Sequence, residues 1–230
     1  MKRILFVAIA WCLSMPAFSQ NIKSQETAFE DYIPLLNKAG YQVYAFDISD
    51  FLNDTYHVNF KIKEYKDSVE VKDNQYDFGF SNRRMIKDFP EESQRRILEE
   101  GSAVNPEAGV YKQATKMTIG FSPSKSDSLK TVHFSINEMG SGSKGLKLQG
   151  LQSPDSDELF YAYKDRPFKL NKFEEGKFIP LVLYGSFWLD KKYNVFRFCG
   201  EREIDPDMST EILKYIPHYY VIGVEFKKKE

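Results

Sequence analysis

The chain has 230 residues, 42% of them apolar and 15% aromatic, with 32 basic side chains against 33 acidic ones and a formal charge of −1. That balance lacks the basic excess a nucleic-acid partner requires. Beyond the N-terminus no run of eighteen apolar residues offers a membrane-spanning helix, and two cysteines cannot build a disulfide framework.

The chain opens "MKRILFVAIAWCLSMPAFSQ". Lys2 and Arg3 precede a short apolar run, Ile4 to Leu13, and Ala17 and Ser19 are the small residues a signal peptidase reads. Residues 1–19 are therefore expected to be a cleaved export signal, cut after Ser19 or Gln20, with a periplasmic or secreted product. Cleavage removes Lys2, Arg3 and no acid, which moves the formal charge from −1 to −3. Cys12 follows bulky Trp11, a poor setting for a lipid-anchored cysteine, so Cys199 becomes the only thiol of the mature chain. About 210 residues suit one domain spanning 20–230, with a division into two lobes near 101–115 or 137–146 left open.

Ser24 reads as an N-cap for "SQETAFEDYIPLLNKAG", where Ala28, Tyr32, Leu35 and Leu36 recur at helical spacing and Pro34 forces a kink or two short helices ending at Gly40. "YQVYAFDIS" follows as a strand. Val58, Phe60 and Ile62, then Val69 and Val71, alternate as a hairpin turning near Lys66–Asp67. Asp88 as N-cap, Pro90 in the first turn and Gly101 as terminator bound a surface helix with a thin apolar face. Met117, Ile119 and Phe121 face Val132, Phe134 and Ile136 in a second hairpin. "LKLQGLQ" and "ELFYAYK" are further strands, and "IPLVLYGSFWLDKKYNVFRFCGERE" is a third hairpin. A short helix at "MSTEILKYI" stops at Pro217, and "HYYVIGVEF" is apolar on both faces, hence a central strand. The pattern predicts an α+β fold of mostly antiparallel sheets built from hairpins, with about three short helices.

"GSGSKG", Gly140 to Gly145, fits G-x-G-x-x-G, but a strand rather than a helix follows, and Leu146 stands where a phosphate loop needs lysine. It is read as a flexible linker. His57, His133 and His218 have no metal-ligand spacing, so no metal and no cofactor is expected. Glu201, Glu203, Asp205 and Asp207 alternate in a way that could bind calcium or serve acid–base chemistry. Acids running into a helix N-terminus explain the last two without a ligand. The "KKK" at Lys227–Lys229 reads as a solvated end.

The third hairpin carries the candidate ligand-binding residues. One column, Leu181, Leu183, Gly185, Phe187 and Leu189, reads as core; the other is Val182, Tyr184, Ser186 and Trp188. An even loop places Phe196 and Phe198 with the leucines and avoids burying Arg197 unpaired. Tyr184, Trp188, Arg197 and Cys199 then share the opposite face. A covering helix would leave Cys199 a small buried filler, with Arg197 stacked on Trp188. An open face would form an aromatic platform with an arginine clamp. A thiolate nucleophile beside Arg197 is the third use of the same residues.

Asp67–Val69 and Asp127–Leu129 are similar to the Asp-Ser/Thr-aliphatic acceptor pattern of periplasmic O-glycosylation in Bacteroidetes, which marks Ser68 and Ser128 as candidate modification sites. The leader ending "AFSQ", the strands rich in Lys, Asp, Tyr and Phe, and "VIGVEFKKK" resemble small secreted proteins of gut Bacteroidetes, several groups of which are classed as domains of unknown function. The resemblance implies an envelope location and carries over no functional residue. The expected function is an exported binding or accessory module for a glycan, a peptide or an envelope partner, with no nucleic acid and no membrane span. A hydrolase using Cys199 or Glu201 and Glu203, and a structural subunit of an envelope assembly, are the alternatives.

Overall fold

The computed structural model describes residues 25–51, 53–152, 157–170 and 172–229, with the backbone alone for 72–76. The residues read as a leader, and Ser24, lie outside the described residues. The chain divides into two compact units, Met1–Leu35 and Leu36–Glu230. The described part of the first holds a 3-10 turn, Phe29–Asp31, with the Asp31 carboxylate accepting the Ala28 N–H at 2.8 Å. It also holds the start of α1 (Ile33–Lys38), with Pro34 in the first turn, where its missing N–H costs no helical bond. Two short helices thus stand where the proline pattern allowed them, and Gly40, at φ 85°, ends the second.

The second unit is built on two antiparallel sheets. The first has four strands: β1 (Gln42–Asp47), β6 (Lys116–Pro123), β7 (Leu129–Ile136) and β8 (Gly140–Lys147), in the order β1-β6-β7-β8. The second has five: β2 (Tyr56–Lys66), β3 (Val69–Ser81), β11 (Tyr163–Pro167), β12 (Phe178–Ser186) and β15 (His218–Lys228), in the order β11-β12-β15-β2-β3. Short pairs link them: β4 (Arg83–Met85) with β5 (Val110–Gln113), β9 (Leu151–Gln152) with β10 (Leu159–Phe160), and β13 (Trp188–Asp190) with β14 (Val195–Arg197).

The inner columns of both sheets make the main core. Met117, Ile119 and Phe121 lie directly opposite Ile136, Phe134 and Val132, the pairing their alternation predicts. They pack against Val58, Phe60 and Ile62 of β2 and Ile222, Val224 and Phe226 of β15, in the manner of facing sheets whose inner side chains interdigitate. The β2–β3 turn is two residues long, Asp67 and Ser68, both at positive φ (48° and 66°). That conformation matches the right-handed strand twist that two-residue hairpins need. β15 is central, as its doubly apolar pattern requires: Tyr220, Ile222 and Val224 face the main core, while Tyr219 and Val221 face a second cluster with Leu183, Ile204, Ile212 and Ile216. Gly223 is obligatory there. A Cβ would collide with the Ile179 carbonyl oxygen, where β12 bulges between Pro180 and Val182.

Helix is scarcer than the α+β reading implied, and the molecule is β-rich. Among the described residues the α-helices are α1 and α2 (Glu91–Glu99). The segment "MSTEILKYI" forms a single 3-10 turn, Glu211–Lys214, instead of a third α-helix. α2 ends at Gly101 (φ 61°) as expected, but it starts two residues late, with Pro90 as its N-cap residue. Asp88 is used elsewhere: its carboxylate accepts the Met85 N–H at the head of the preceding 3-10 turn, Ile86–Asp88.

"GSGSKG" is also corrected, from linker to strand. It forms most of β8, paired with β7 from Ile136↔Gly140 to Leu129↔Lys147. Gly140 answers a packing demand, since a Cβ there would stand 2.8 Å from the Phe80 ring, whereas one on Gly142 would sit in ordinary contact with Phe78 at 3.5 Å. The absent side chain at Gly140 lets Phe80 of β3 seat against β8. At the opposite edge the Tyr44 hydroxyl donates to the Asp165 carboxylate and ties β1 to β11.

Candidate functional site

Two regions gather the chemistry-bearing residues. The first is the ribbon of β13 and β14. Its loop, Lys191–Asn194, has an even residue count with Asn194 at φ 52°, and Trp188 therefore stands opposite Arg197 and Leu189 opposite Phe196. Arg197 forms an ion pair with Asp190 at 2.6 Å, and its guanidinium lies 5.3 Å from the centre of the Tyr193 ring. Trp188 stacks on Tyr215, ring centres 6.2 Å apart and planes 24° from parallel. Trp188 is half-buried against the second cluster, while Tyr193 and Tyr215 are 58% and 54% exposed. A shallow cavity of about 440 Å³ lies among Trp188, Asp190, Lys191, Arg197 and Tyr215.

The four residues expected on one face do not share it. The strand of the main sheet ends at Ser186, Phe187 intervenes, and the ribbon pairs only with itself. Tyr184 therefore remains in the sheet, buried, stacked between Phe121 (5.0 Å) and Tyr163 (5.3 Å). Val182 and Tyr184 of the amphipathic column face the opposing sheet as core, and among the described residues no helix covers them. The even loop does set Phe196 and Phe198 beside the far members of the leucine column, Leu189 and Phe187, but neither joins Leu181 or Leu183 in the core. Instead Phe196 packs on Phe160 at 4.8 Å and Phe198 stacks on Phe187 at 4.9 Å, in a satellite aromatic cluster. Cys199 is exposed and in no disulfide, so it is no buried filler. Beside it the buried Arg166 guanidinium donates to the Phe198 carbonyl; burial holds its pKa down against the pull of Asp165, Glu201 and Cys199.

The column of acids is not extended either. Asp205 pairs with Lys169 at 2.6 Å and accepts from the Thr210 hydroxyl, and both bonds hold its carboxyl below the usual range. Asp207 accepts the Ser209 N–H, which lowers its pKa likewise. These bonds shape the turn before the 3-10 segment, as the ligand-free reading of Asp205 and Asp207 expects. Glu201 and Glu203 are exposed. Among the described residues no three or more His, Cys, Asp or Glu side chains converge as metal ligands. Ser68 sits in the β2–β3 turn with its hydroxyl donating to the Leu213 carbonyl, and Ser128 bonds Ser126 at 2.8 Å in the β6–β7 turn.

The second region was not singled out by sequence. At one end of the five-stranded sheet His218, buried on β15, bonds Glu64 of β2 through Nε2 at 3.0 Å and the Tyr163 hydroxyl of β11 through Nδ1 at 2.5 Å. Tyr163 in turn accepts the Gln149 N–H at 2.8 Å, and the Tyr220 hydroxyl donates to the Lys147 carbonyl at 2.7 Å. Burial pushes the His218 pKa below its ordinary value, against the pull of Glu64, and pushes that of Tyr163 well up. A neutral His218 donates from Nε2 to Glu64 and accepts at Nδ1 from Tyr163, which satisfies every partner. The signal was present: the inner column Val58, Phe60, Ile62 of β2 turns to Glu64, and that of β15 turns to Tyr220 and His218.

Comparison with known proteins follows the fold. The chain matches the family described as Domain of unknown function (DUF5041) over residues 12–228. It belongs to that family. No curated protein and no solved structure matches it. Among the described residues no helix is long and apolar enough to cross a membrane.

Proposed function

We propose that this chain is an exported binding or accessory module, periplasmic or secreted, which holds a glycan on the β13–β14 ribbon, and that it comes from the secreted repertoire of gut Bacteroidetes. The observation that carries the reading is the parallel Trp188–Tyr215 pair on an open surface beside the Arg197–Asp190 ion pair. Flat sugar faces stack on such rings, and a neighbouring arginine and carboxylate supply directed hydrogen bonds to hydroxyl groups. Export rests on the Lys2–Arg3 start, the short apolar run and the small residues at 17 and 19.

The test is a glycan array of neutral, uronic-acid and sulfated oligosaccharides, probed with the mature chain and with Trp188→Ala/Tyr215→Ala. Retention by the parent and loss in the double variant supports the reading. Equal retention, or none by either protein, removes the ribbon as a glycan site. Mass measurement of the protein recovered from a periplasmic fraction checks the cleavage and also reports any glycan on Ser68 or Ser128.

A further inference from the structure

The two ends of the space between the sheets are finished differently. The polar end closes on the hydrogen-bonded chain Glu64–His218–Tyr163. The other end keeps its apolar columns and leaves them open: a cavity of about 390 Å³ enters there. Its floor is core, formed by Ile48, Met117, Leu181, Val224 and Phe226, each 4% exposed or less. Its rim is apolar too, with Phe173 37% and Leu170 66% exposed on the connection between β11 and β12.

Four rings fix one wall. Phe51 stacks on Phe226 with centres 4.3 Å apart, and Phe173 stands edge-on to both, at 4.7 and 5.9 Å. Tyr56 meets Phe51 edge-on at 5.6 Å. Rings interlocked at right angles hold one another in place, so the cavity is built before a ligand enters. Its volume and its apolar lining with few polar groups are those of a small-molecule site.

The charge at the mouth has one sign. No Lys, Arg or His lines the cavity, and its carboxylates are Asp47 and Asp50. Lys116 stands opposite Asp47 across β1 and β6 and offsets its charge. Asp50, exposed in the 3-10 turn Ser49–Phe51, makes no ion pair among the described residues. Two lysines of the surrounding chain are committed elsewhere, Lys228 to Asp54 at 2.8 Å and Lys177 to Glu174.

We infer that this open end is a second binding site, independent of the aromatic ribbon, for a small hydrophobic amine. The apolar body fills the space between the sheets. The ammonium end stays at the mouth, beside the Asp50 carboxylate and the Phe173 ring. A carboxylate on the same body would meet like charge there and no cation to receive it.

The probes are phenylpropylamine, phenylpropanol and phenylpropanoate, which share one apolar body and differ in charge. Each is titrated into the mature protein while the Met117 methyl resonance, at the cavity floor, is followed by NMR. Saturable shifts with the amine support the site when its Kd is about 5 mM or tighter, at least about threefold below that of the alcohol, with the carboxylate weakest. Phe173→Ala is expected to weaken all three probes, and Trp188→Ala to leave all three unchanged. Asp50→Asn, at an exposed position that folding tolerates, should erase the amine's advantage and leave the alcohol as it was. No saturable shift with the amine, equal affinity for the three probes or tightest binding of the carboxylate overturns the inference. An amine advantage that survives in Asp50→Asn does so as well.

Discussion

The interior between the two large sheets and the β13–β14 ribbon are made of similar residues and use them differently. In the interior, Phe134 lies against Phe60 (5.0 Å) and Phe78 (5.6 Å), and water reaches almost none of it. At the ribbon, half-buried Trp188 stacks on exposed Tyr215, and the ribbon is held by three strand pairs and a surface ion pair. Enclosure turns an aromatic ring into stability; partial exposure leaves it free to meet a ligand. The comparison therefore predicts large stability losses inside and small ones outside, with ligand effects distributed the other way.

The largest effect is expected for Phe134→Ala. It opens a cavity at the centre of the sandwich and should cost about 3–5 kcal/mol of unfolding free energy, read from the urea midpoint. A loss under about 1 kcal/mol would mean that the sheets do not pack as described. Gly223→Ala comes next. Its methyl would press on the Ile179 carbonyl and the Phe178 ring, and overpacking of this kind costs about 1–3 kcal/mol.

Acid should act through the polar end. Burial holds the folded-state pKa of His218 below the ordinary value of about 6.5. The unfolded chain therefore takes up its proton first as the pH falls. The stability His218 contributes is complete above about pH 6.5 and is lost as the pH falls toward the folded pKa, at no more than about 1.4 kcal/mol per pH unit. The groups facing the imidazole are Glu64 and Lys66 from β2, Tyr163 from β11 and Tyr220 from β15; Lys66 and the hydroxyl that Tyr163 donates to Nδ1 favour the neutral form, and Glu64 favours the charged one. Urea midpoints between pH 7.5 and 5 should decline in the parent and flatten in His218→Gln. A parent curve as flat as the variant's would remove the histidine from this role.

Trp188→Ala should cost less, about 1–3 kcal/mol, because the ring is only half-buried, while glycan retention is abolished. The smallest effect concerns Cys199. As an exposed thiol it should react with a thiol reagent in the folded protein at neutral pH, without shifting the unfolding midpoint. Reaction only after denaturation would contradict its exposure.

Much of the sandwich is legible in the residue pattern, and the site only in part. Met117, Ile119, Phe121, Val132, Phe134 and Ile136 declare both their strands and their mutual register, because a two-residue period leaves one way to keep all six inside. "HYYVIGVEF" declares a central strand because both of its faces are apolar. The ribbon loop, by its even length, sets Trp188 against Arg197. Neither Phe187 nor its neighbours signal that the chain leaves one sheet there and begins another pair, so alternation suggested a common face for Tyr184 and Trp188. Gly140 of β8 likewise read as slack, because the Phe80 ring that excludes a side chain there is some sixty residues away in sequence.

What this sequence determines by itself is local: period, turn chemistry and the stops at Gly40, Gly101 and Pro217, each enforced by backbone sterics within a few residues. What only the tertiary structure decides is which columns meet. Tyr184 became interior, Cys199 exterior, and Glu64 met His218 and Tyr163 from strands far apart in the chain. The reason is physical: burial and pairing belong to the assembled sheets, whose strand order follows from how all the apolar faces together escape water.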